Sequence, residues 1–266
     1  MRIPRSVLLG VTPVVVILLA WQFLAQEQII SPVILPPVSK ILVALYVSLT
    51  GGNSQYALPS NFLFTMERMF LGYILAVVIA VPMGLLVGTS RKIYRLLEPT
   101  IEIFRPMPMV ALVPFFILVF GINTQMDALF VAFGCVWPIL VNTIDGVRSI
   151  DPLFFDVAKS FRKSGGKVLL RVTLPGASPY IVSGMRIALL LALLLTVVIE
   201  MTSGGFNGLG YSTIFAQQTL NITMLYAEIF FIAMIGFLLN VLFVRAENSL
   251  MSWHKKYTKI AVQVNA

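Results

Sequence analysis

Ile187-Ala188-Leu189-Leu190-Leu191-Ala192-Leu193-Leu194-Leu195-Thr196-Val197-Val198-Ile199 runs without a single charge and ends on Glu200. With the residues before it, this run makes an apolar span over 180–201. About 20 such residues carry an α-helix across a hydrocarbon core of roughly 30 Å. Working outward, the same kind of window recurs at 7–24, 62–88, 100–120, 126–145 and 223–245. The window at 100–120 is interrupted by Arg105, Pro106, Pro108 and Pro114. Prolines are tolerated there only where neighbouring helices or water satisfy the freed carbonyls. Of the 266 residues, 58% are hydrophobic and 11% charged, and the mean hydropathy is +0.93. A soluble domain carries roughly 25% charged residues, so most of this surface is expected to face lipid. The fold class is therefore all-α, a polytopic membrane protein of about six transmembrane helices.

The bases divide unevenly between alternate segments. One set holds Arg2, Arg5, Arg91, Lys92, Arg95, Arg148, Lys159, Arg162, Lys163, Lys167, Arg171, Arg245, Lys255, Lys256 and Lys259; the other holds Lys40, with Arg68 just inside a span. By the positive-inside rule both termini are expected in the cytoplasm, and an even number of spans agrees. The net charge of +8 is read as these retained basic loops rather than a nucleic-acid surface. Met1–Leu24 resembles a signal peptide, but Ala20-Trp21-Gln22 puts bulky residues where cleavage wants small ones, so a retained first span is expected. Three regions follow: 1–60, an N-terminal span and outer-surface segment; 61–250, a core of spans holding a cytoplasmic loop at 146–179; and 251–266, a polar tail. A short helix over Val38–Leu49 is expected to lie on the outer surface, followed by a turn at Gly51-Gly52-Asn53. Gly204-Gly205 and Gly208-Leu209-Gly210 give the last outer segment a backbone able to turn tightly.

Two stripes of small residues stand out. Gly72, Ala76, Ala80, Gly84 and Gly88 recur at every fourth position of one span, and Gly184, Ala188, Ala192 and Thr196 of another, where the next step is Glu200. Residues four apart share a helix face, and small faces in lipid let backbones approach closely. An ionisable group in the hydrocarbon costs about 2.5–3.5 kcal/mol on insertion scales and turns toward a cavity or partner. Glu200, with Thr196 and Ala192 below it, is thus a pathway or gate candidate, or else a structural hydrogen bond closing the outer end of the bundle. Arg105 is a further pathway candidate, although its place near the inner surface equally suits lipid or loop contact. Glu228 is expected at the interface.

The longest cytoplasmic segment reads Asp151-Pro152-Leu153-Phe154-Phe155-Asp156-Val157-Ala158-Lys159-Ser160-Phe161-Arg162-Lys163-Ser164-Gly165-Gly166 and then Lys167 to Leu174-Pro175. Asp151 can cap a helix whose first residue is Pro152. Leu153, Val157 and Phe161 fall on one face, with Lys159, Arg162 and Lys163 elsewhere, and Gly165-Gly166 is expected to end the helix. Such a basic and apolar hairpin suits either anionic lipid or a docked protein partner; the apolar face favours the partner.

These residues resemble the permease subunits of ATP-binding-cassette importers, in the nitrate, sulfonate and taurine branch. The family loop has Glu-Ala-Ala, a Gly after three residues, and an apolar residue two before Leu-Pro. Here Asp156-Val157-Ala158 stands for the triplet, Arg162 for the Gly, Val172 for the apolar residue, and Leu174-Pro175 matches directly. Because Arg162 lacks a glycine's freedom, the turn is expected to shift to Gly165-Gly166. Arg68-x-x-x-Gly72, Val81-Pro82-x-Gly84, Arg105-Pro106-x-Pro108, Leu112-Val113-Pro114, Gly121, Gly146 to Pro152, Pro179-Tyr180-Ile181, Gly184 to Ala188, Glu200 and Gly208-Leu209-Gly210 also resemble that branch in order and spacing. The resemblance implies a type I importer permease fold, pairing of two copies, and docking of the loop on a cytoplasmic ATPase dimer that holds the ATP and Mg. It also implies delivery of solute by a periplasmic or lipid-anchored binding protein. Asp156, Ala158 and Pro175 would carry the coupling, and the solute would be a small anion such as a sulfonate, taurine or nitrate.

The chain supplies no chemistry of its own on this reading. A phosphate loop needs Gly and Ser/Thr where Phe161 and Val168 stand around Gly165-Gly166-Lys167. The lone Cys135 excludes a disulfide or zinc framework, and His254 is the only histidine. No metal, cofactor, nucleic-acid or enzymatic role is expected. An ion-coupled carrier using Glu200 as a proton site is the alternative.

Overall fold

The computed structural model describes residues 5–31, 33–50, 57–163, 165–205 and 207–251. Most of the polar tail and the Gly51-Gly52-Asn53 turn lie outside the described residues. The described residues are helical throughout, with no strand among them. The order is α1 (Arg5–Gln26), α2 (Val38–Leu49), α3 (Leu58–Thr89), α4 (Arg91–Phe104), a 3₁₀ turn (Met109–Leu112) leading into α5 (Val113–Phe120), α6 (Thr124–Arg148), α7 (Pro152–Ser160), α8 (Gly166–Val168), a π turn (Leu169–Thr173) leading into α9 (Leu174–Thr202), α10 (Leu209–Gln218) and α11 (Ile222–Leu250). Among the described residues 4 helices are long and apolar enough to cross a membrane: Leu58–Thr89, Thr124–Arg148, Gly166–Thr202 and Ile222–Ser249. α1 occupies the expected first span, its described apolar part being the shorter Thr12–Gln26.

The expected span at 100–120 is not one straight helix. α4 and the Met109–Phe120 segment meet at 87° and together form a broken span. The cause is local: Pro106 and Pro108 have no N–H to donate, and Pro108 sits in extended backbone at φ −70, ψ 102, so the helical ladder stops. α4 itself begins at Arg91, where Ser90 caps it through a bond from Ile93 N–H at 3.4 Å. Its exposed apolar side chains, Ile93, Leu96 and Ile103, recur on one face, and Arg95, Glu98 and Glu102 lie off it. The other end of the chain's hairpin also differs from expectation. Helix runs on from Gly166 to Thr202, so the last part of the 146–179 segment is continuous with the fifth span. The π turn widens the coil just before Pro175, whose missing N–H leaves a carbonyl to be accommodated.

The chain forms two compact units. One comprises residues 1–64 and 206–234. Its core is Ile41, Ala216, Met224 and Ala227, with Trp21, Leu45 and Phe230 packed around them. Trp21 meets Tyr226 edge-on at 5.3 Å and donates its indole N–H to Pro36 O at 3.1 Å. Pro37 cannot cap α2 with its side chain, and Gln22 of α1 replaces that cap. Its Oε1 accepts from Ser39 N at 3.1 Å, satisfying one of the orphan donors of a helix start. α10, which follows the positive φ of Gly208 at 111°, was not foreseen as a helix. It covers Glu228, which is 0% exposed and accepts from the hydroxyls of Ser212 and Thr213. Glu228 is thus buried, not interfacial, because α10 brings it two donors.

The second unit comprises residues 65–205 and 235–266, and α6 is its axis. The small residues Gly72, Gly84 and Gly88 of α3 approach α6 closely: a Cβ on Gly72 would lie 2.6 Å from Ala128 O, and one on Gly88 2.7 Å from Val147 Cβ. Ala76 and Ala80, between them, are fully buried. Contact numbers rise together along both helices, so α3 and α6 run parallel. α9 crosses α6 the opposite way, with Gly184 against Asn142 and Pro138 O, and Tyr180 against Gly146. Gly184, Ala188, Ala192, Thr196 and Glu200 form one buried face of α9. Dispersion through these close backbones replaces the hydrophobic drive that lipid does not supply.

Candidate functional site

The α7 hairpin is built from local signals. Asp151 Oδ1 accepts from Leu153 N–H at 2.8 Å, and Pro152 supplies a preset first turn. Ala158 is buried, and its carbonyl accepts from Lys163 N at 3.0 Å while Lys159 O accepts from Arg162 N at 2.8 Å. These two bonds make a Schellman cap whose left-handed residue is Arg162, at φ 50°. The expectation that the turn moves to Gly165-Gly166 is therefore corrected. Arg162 takes the left-handed conformation itself, because two backbone bonds hold it there. Gly165, at φ 56°, instead starts the next helix, its carbonyl accepting from Val168 and Leu169 N–H at 3.1 Å each.

The cap leaves Leu153, Phe154, Val157 and Phe161 exposed, at 64%, 62%, 48% and 73%. Their spacing keeps them on one side of a two-turn helix. Asp156 is exposed and paired with Lys159 Nζ at 3.0 Å, an interaction that water weakens. Leu174 packs inward beside Leu85, Val147, Ala177 and Ile181. Pro175 is exposed and its carbonyl accepts from Ser178 Oγ at 2.8 Å. Among the predicted loop residues an exposed apolar face thus stands against buried Ala158 and partly buried Leu174, which face inward.

The structure brings Glu200 to partners that the sequence reading did not assign. Arg68 Nη1 lies 2.8 Å from Glu200 Oε1 and Arg68 Nε 3.0 Å from Asp127 Oδ2. Thr65 Oγ1 donates to the Glu200 carboxylate at 2.9–3.0 Å. Arg68, Asp127 and Glu200 are 7%, 5% and 2% exposed. One cation and two carboxylates therefore tie α3, α6 and α9 together. Thr196 and Ala192, one and two turns below, are fully buried. The overlooked signal was topological: Arg68 and Asp127 begin their spans and Glu200 ends its own, so all three fall at one level.

Of the four pathway candidates, Arg105 borders a cavity. That cavity is about 500 Å³ and is lined from the break after α4, from α6 and from α9. Trp137 forms part of its wall, stacked on Phe104 at 5.1 Å. A second space of about 460 Å³ lies beside α7, edged by Arg91, Arg148, Asp156 and Lys159. Among the described residues no cluster of His, Cys, Asp and Glu has the grouping to hold a metal.

Comparison with known proteins gives concordant results. Residues 76–250 match the family described as binding-protein-dependent transport system inner membrane component. The taurine transport system permease protein TauC of Escherichia coli is 31% identical over 252 residues, 94% of this chain and 91% of its own. The bicarbonate transport system permease protein CmpB of Synechococcus elongatus is 34% identical over 197 residues, 74% of this chain and 70% of its own. In structure, the chain is similar to the MetNI methionine transporter in inward-facing conformation. The TM-score is 0.64 at 19% identity, covering 72% of this chain and 94% of that one.

Proposed function

Since the chain belongs to the binding-protein-dependent transport system inner membrane components, and so is a permease subunit of an ATP-binding-cassette importer, we propose that two copies pass a small anion across the membrane under the drive of a separate ATPase. The observation that carries this reading is the exposed face of α7. Leu153, Phe154, Val157 and Phe161 project from a helix that is capped at both ends. Four large apolar groups on so short a helix call for a cover, and the groove of a cytoplasmic ATPase suits them. Lys159, Arg162 and Lys163 around the face would meet acidic groups at the groove's edge. In this arrangement both termini and α7 are cytoplasmic, ATP and Mg stay on the ATPase dimer, and a binding protein delivers solute at the opposite face. The reaction is carried by the partner, and this chain is its moving conduit.

The names of the relatives, which include taurine, bicarbonate and nitrate carriers, support a small oxyanion as the solute. Glu200, the group an ion-coupled carrier would use, is already held by Arg68 and Thr65, which supports the ATP-driven reading. Reconstitution decides between them. The chain in proteoliposomes with its ATPase and binding protein is expected to accumulate labelled sulfonate only with ATP, and to continue when an uncoupler collapses the ion gradients. Accumulation by the chain alone would sink the proposal.

A further inference from the structure

Arg105 and Trp137 line the cavity of about 500 Å³ with hydrogen-bond donors. Guanidinium and indole N–H are donors with no acceptor capacity. Trp137 Nε1 is buried without a hydrogen-bond partner among the described residues. The exposed Arg105 makes no side-chain ion pair or hydrogen bond among the described residues, its backbone N–H donating to Ile101 O at 2.9 Å. A buried donor lacking its acceptor is costly and calls for an explanation. No carboxylate lines this cavity; Asn142, whose amide donates to Pro138 O at 2.8 Å, is its other polar side chain, and the remaining wall is apolar, including Met109, Val141, Leu191 and Leu195. Glu98, Glu102 and Asp145 border a separate space of about 80 Å³ that also touches Arg105, and all three are exposed to solvent.

The 87° break after α4 is what makes the site. A straight helix would carry Arg105 onward along its own axis and close the space with backbone. The Pro106–Pro108 interruption instead leaves the Arg105 side chain and Met109 at the mouth, with Trp137 fixed behind by its stack on Phe104. We propose that this cavity is an anion-binding station for a free, small monoanion with an apolar body, such as an alkyl sulfonate, held by Arg105 and Trp137. The anion's oxygens accept from the guanidinium and the indole N–H, and its alkyl part lies against Leu191 and Leu195. Calling the station a stop on the transport path rests on the importer reading; the binding itself does not.

The test uses the purified full chain in neutral detergent, with butane-1-sulfonate as probe at constant ionic strength, and needs no ATPase. Calorimetry and tryptophan fluorescence are expected to show saturable binding in the wild type. Arg105→Gln is expected to weaken it by roughly tenfold or more, since a charge-assisted bond is lost. Arg105→Lys should recover part of the affinity, as a point charge without the fork. Trp137→Phe should abolish the fluorescence change and weaken the calorimetric affinity severalfold. Butyl methyl sulfone, the uncharged analogue, should not compete. Equal affinity in Arg105→Gln and wild type, or competition by the uncharged sulfone, overturns the proposal. So does displacement of the probe when the chain is moved from phosphatidylcholine to phosphatidylglycerol nanodiscs, which would assign the site to a lipid headgroup. Failure of ATP-driven uptake with intact sulfonate binding would instead count against the importer reading alone.

Discussion

Replacing Arg68 by Met tests the ion cluster most sharply, because its arithmetic is asymmetric. Among the described residues Arg68 is the cation paired with Asp127 and Glu200, at 3.0 and 2.8 Å. Removing it takes the Arg68 counter-charge away from two buried carboxylates, and breaking a buried pair in this way costs about 3–5 kcal/mol. One charge-assisted hydrogen bond, from Arg68 Nη1 to Glu200, accounts for about 1.5–3 kcal/mol of this, and the ion pair with Asp127 supplies the rest. Glu200→Gln or Asp127→Asn behaves differently. Each removes the surplus negative charge while Arg68 keeps one full carboxylate partner, so each should cost about 1 kcal/mol or less. Thr65→Ala loses a hydroxyl bond to the carboxylate, worth about 0.6 kcal/mol on average between membrane helices. Thermal denaturation of the purified chain in detergent reads the order. At roughly 2–4 °C per kcal/mol for chains of this size, Arg68→Met should melt about 10 °C below wild type and the carboxamide variants within a few degrees of it. The reasoning fails if Arg68→Met melts with wild type, or if either carboxamide variant is as damaging.

Gly72→Ala should destabilise by about 1–3 kcal/mol, since its Cβ would sit 2.6 Å from the backbone oxygen of Ala128; the same melting assay checks it, and an unchanged midpoint refutes close α3–α6 packing. Arg162→Gly should strengthen the α7 cap by up to about 1 kcal/mol, because φ 50° strains any residue with a Cβ. Hydrogen exchange of the amides in 152–163 should slow; faster exchange would contradict the left-handed assignment. Asp156→Lys should lower transport-coupled ATP hydrolysis with membrane insertion intact, as it reverses the charge on exposed α7, the helix proposed to dock on the ATPase. Unchanged coupling in reconstituted vesicles would remove that carboxylate from the docking role.

Asp151-Pro152 fixed the start of α7, and Leu153, Val157 and Phe161 its apolar face, because capping and helical periodicity are local properties. The end of the same helix was not legible. Gly165-Gly166 is the stronger stop signal by composition, yet the Lys163–Ala158 and Arg162–Lys159 bonds close the helix earlier. Around Pro106 and Pro108 the prolines announced an interruption, but not its 87° angle, which depends on what α6 and α9 offer to pack against.

Hydropathy alone determined that this chain is a bundle of lipid-facing helices, since too few charges exist to clothe a soluble one, and the four-residue stripes marked which helix faces turn inward. Only the tertiary structure decided who meets whom. It joined Arg68 and Asp127 to Glu200, buried Glu228 beneath α10, and left Arg105 beside an open cavity while Thr196 and Ala192 were sealed. Periodicity specifies a direction around one helix axis; the partner on the neighbouring axis depends on crossing geometry between distant segments, such as those of Thr65 and Glu200, 135 residues apart, which no local pattern encodes.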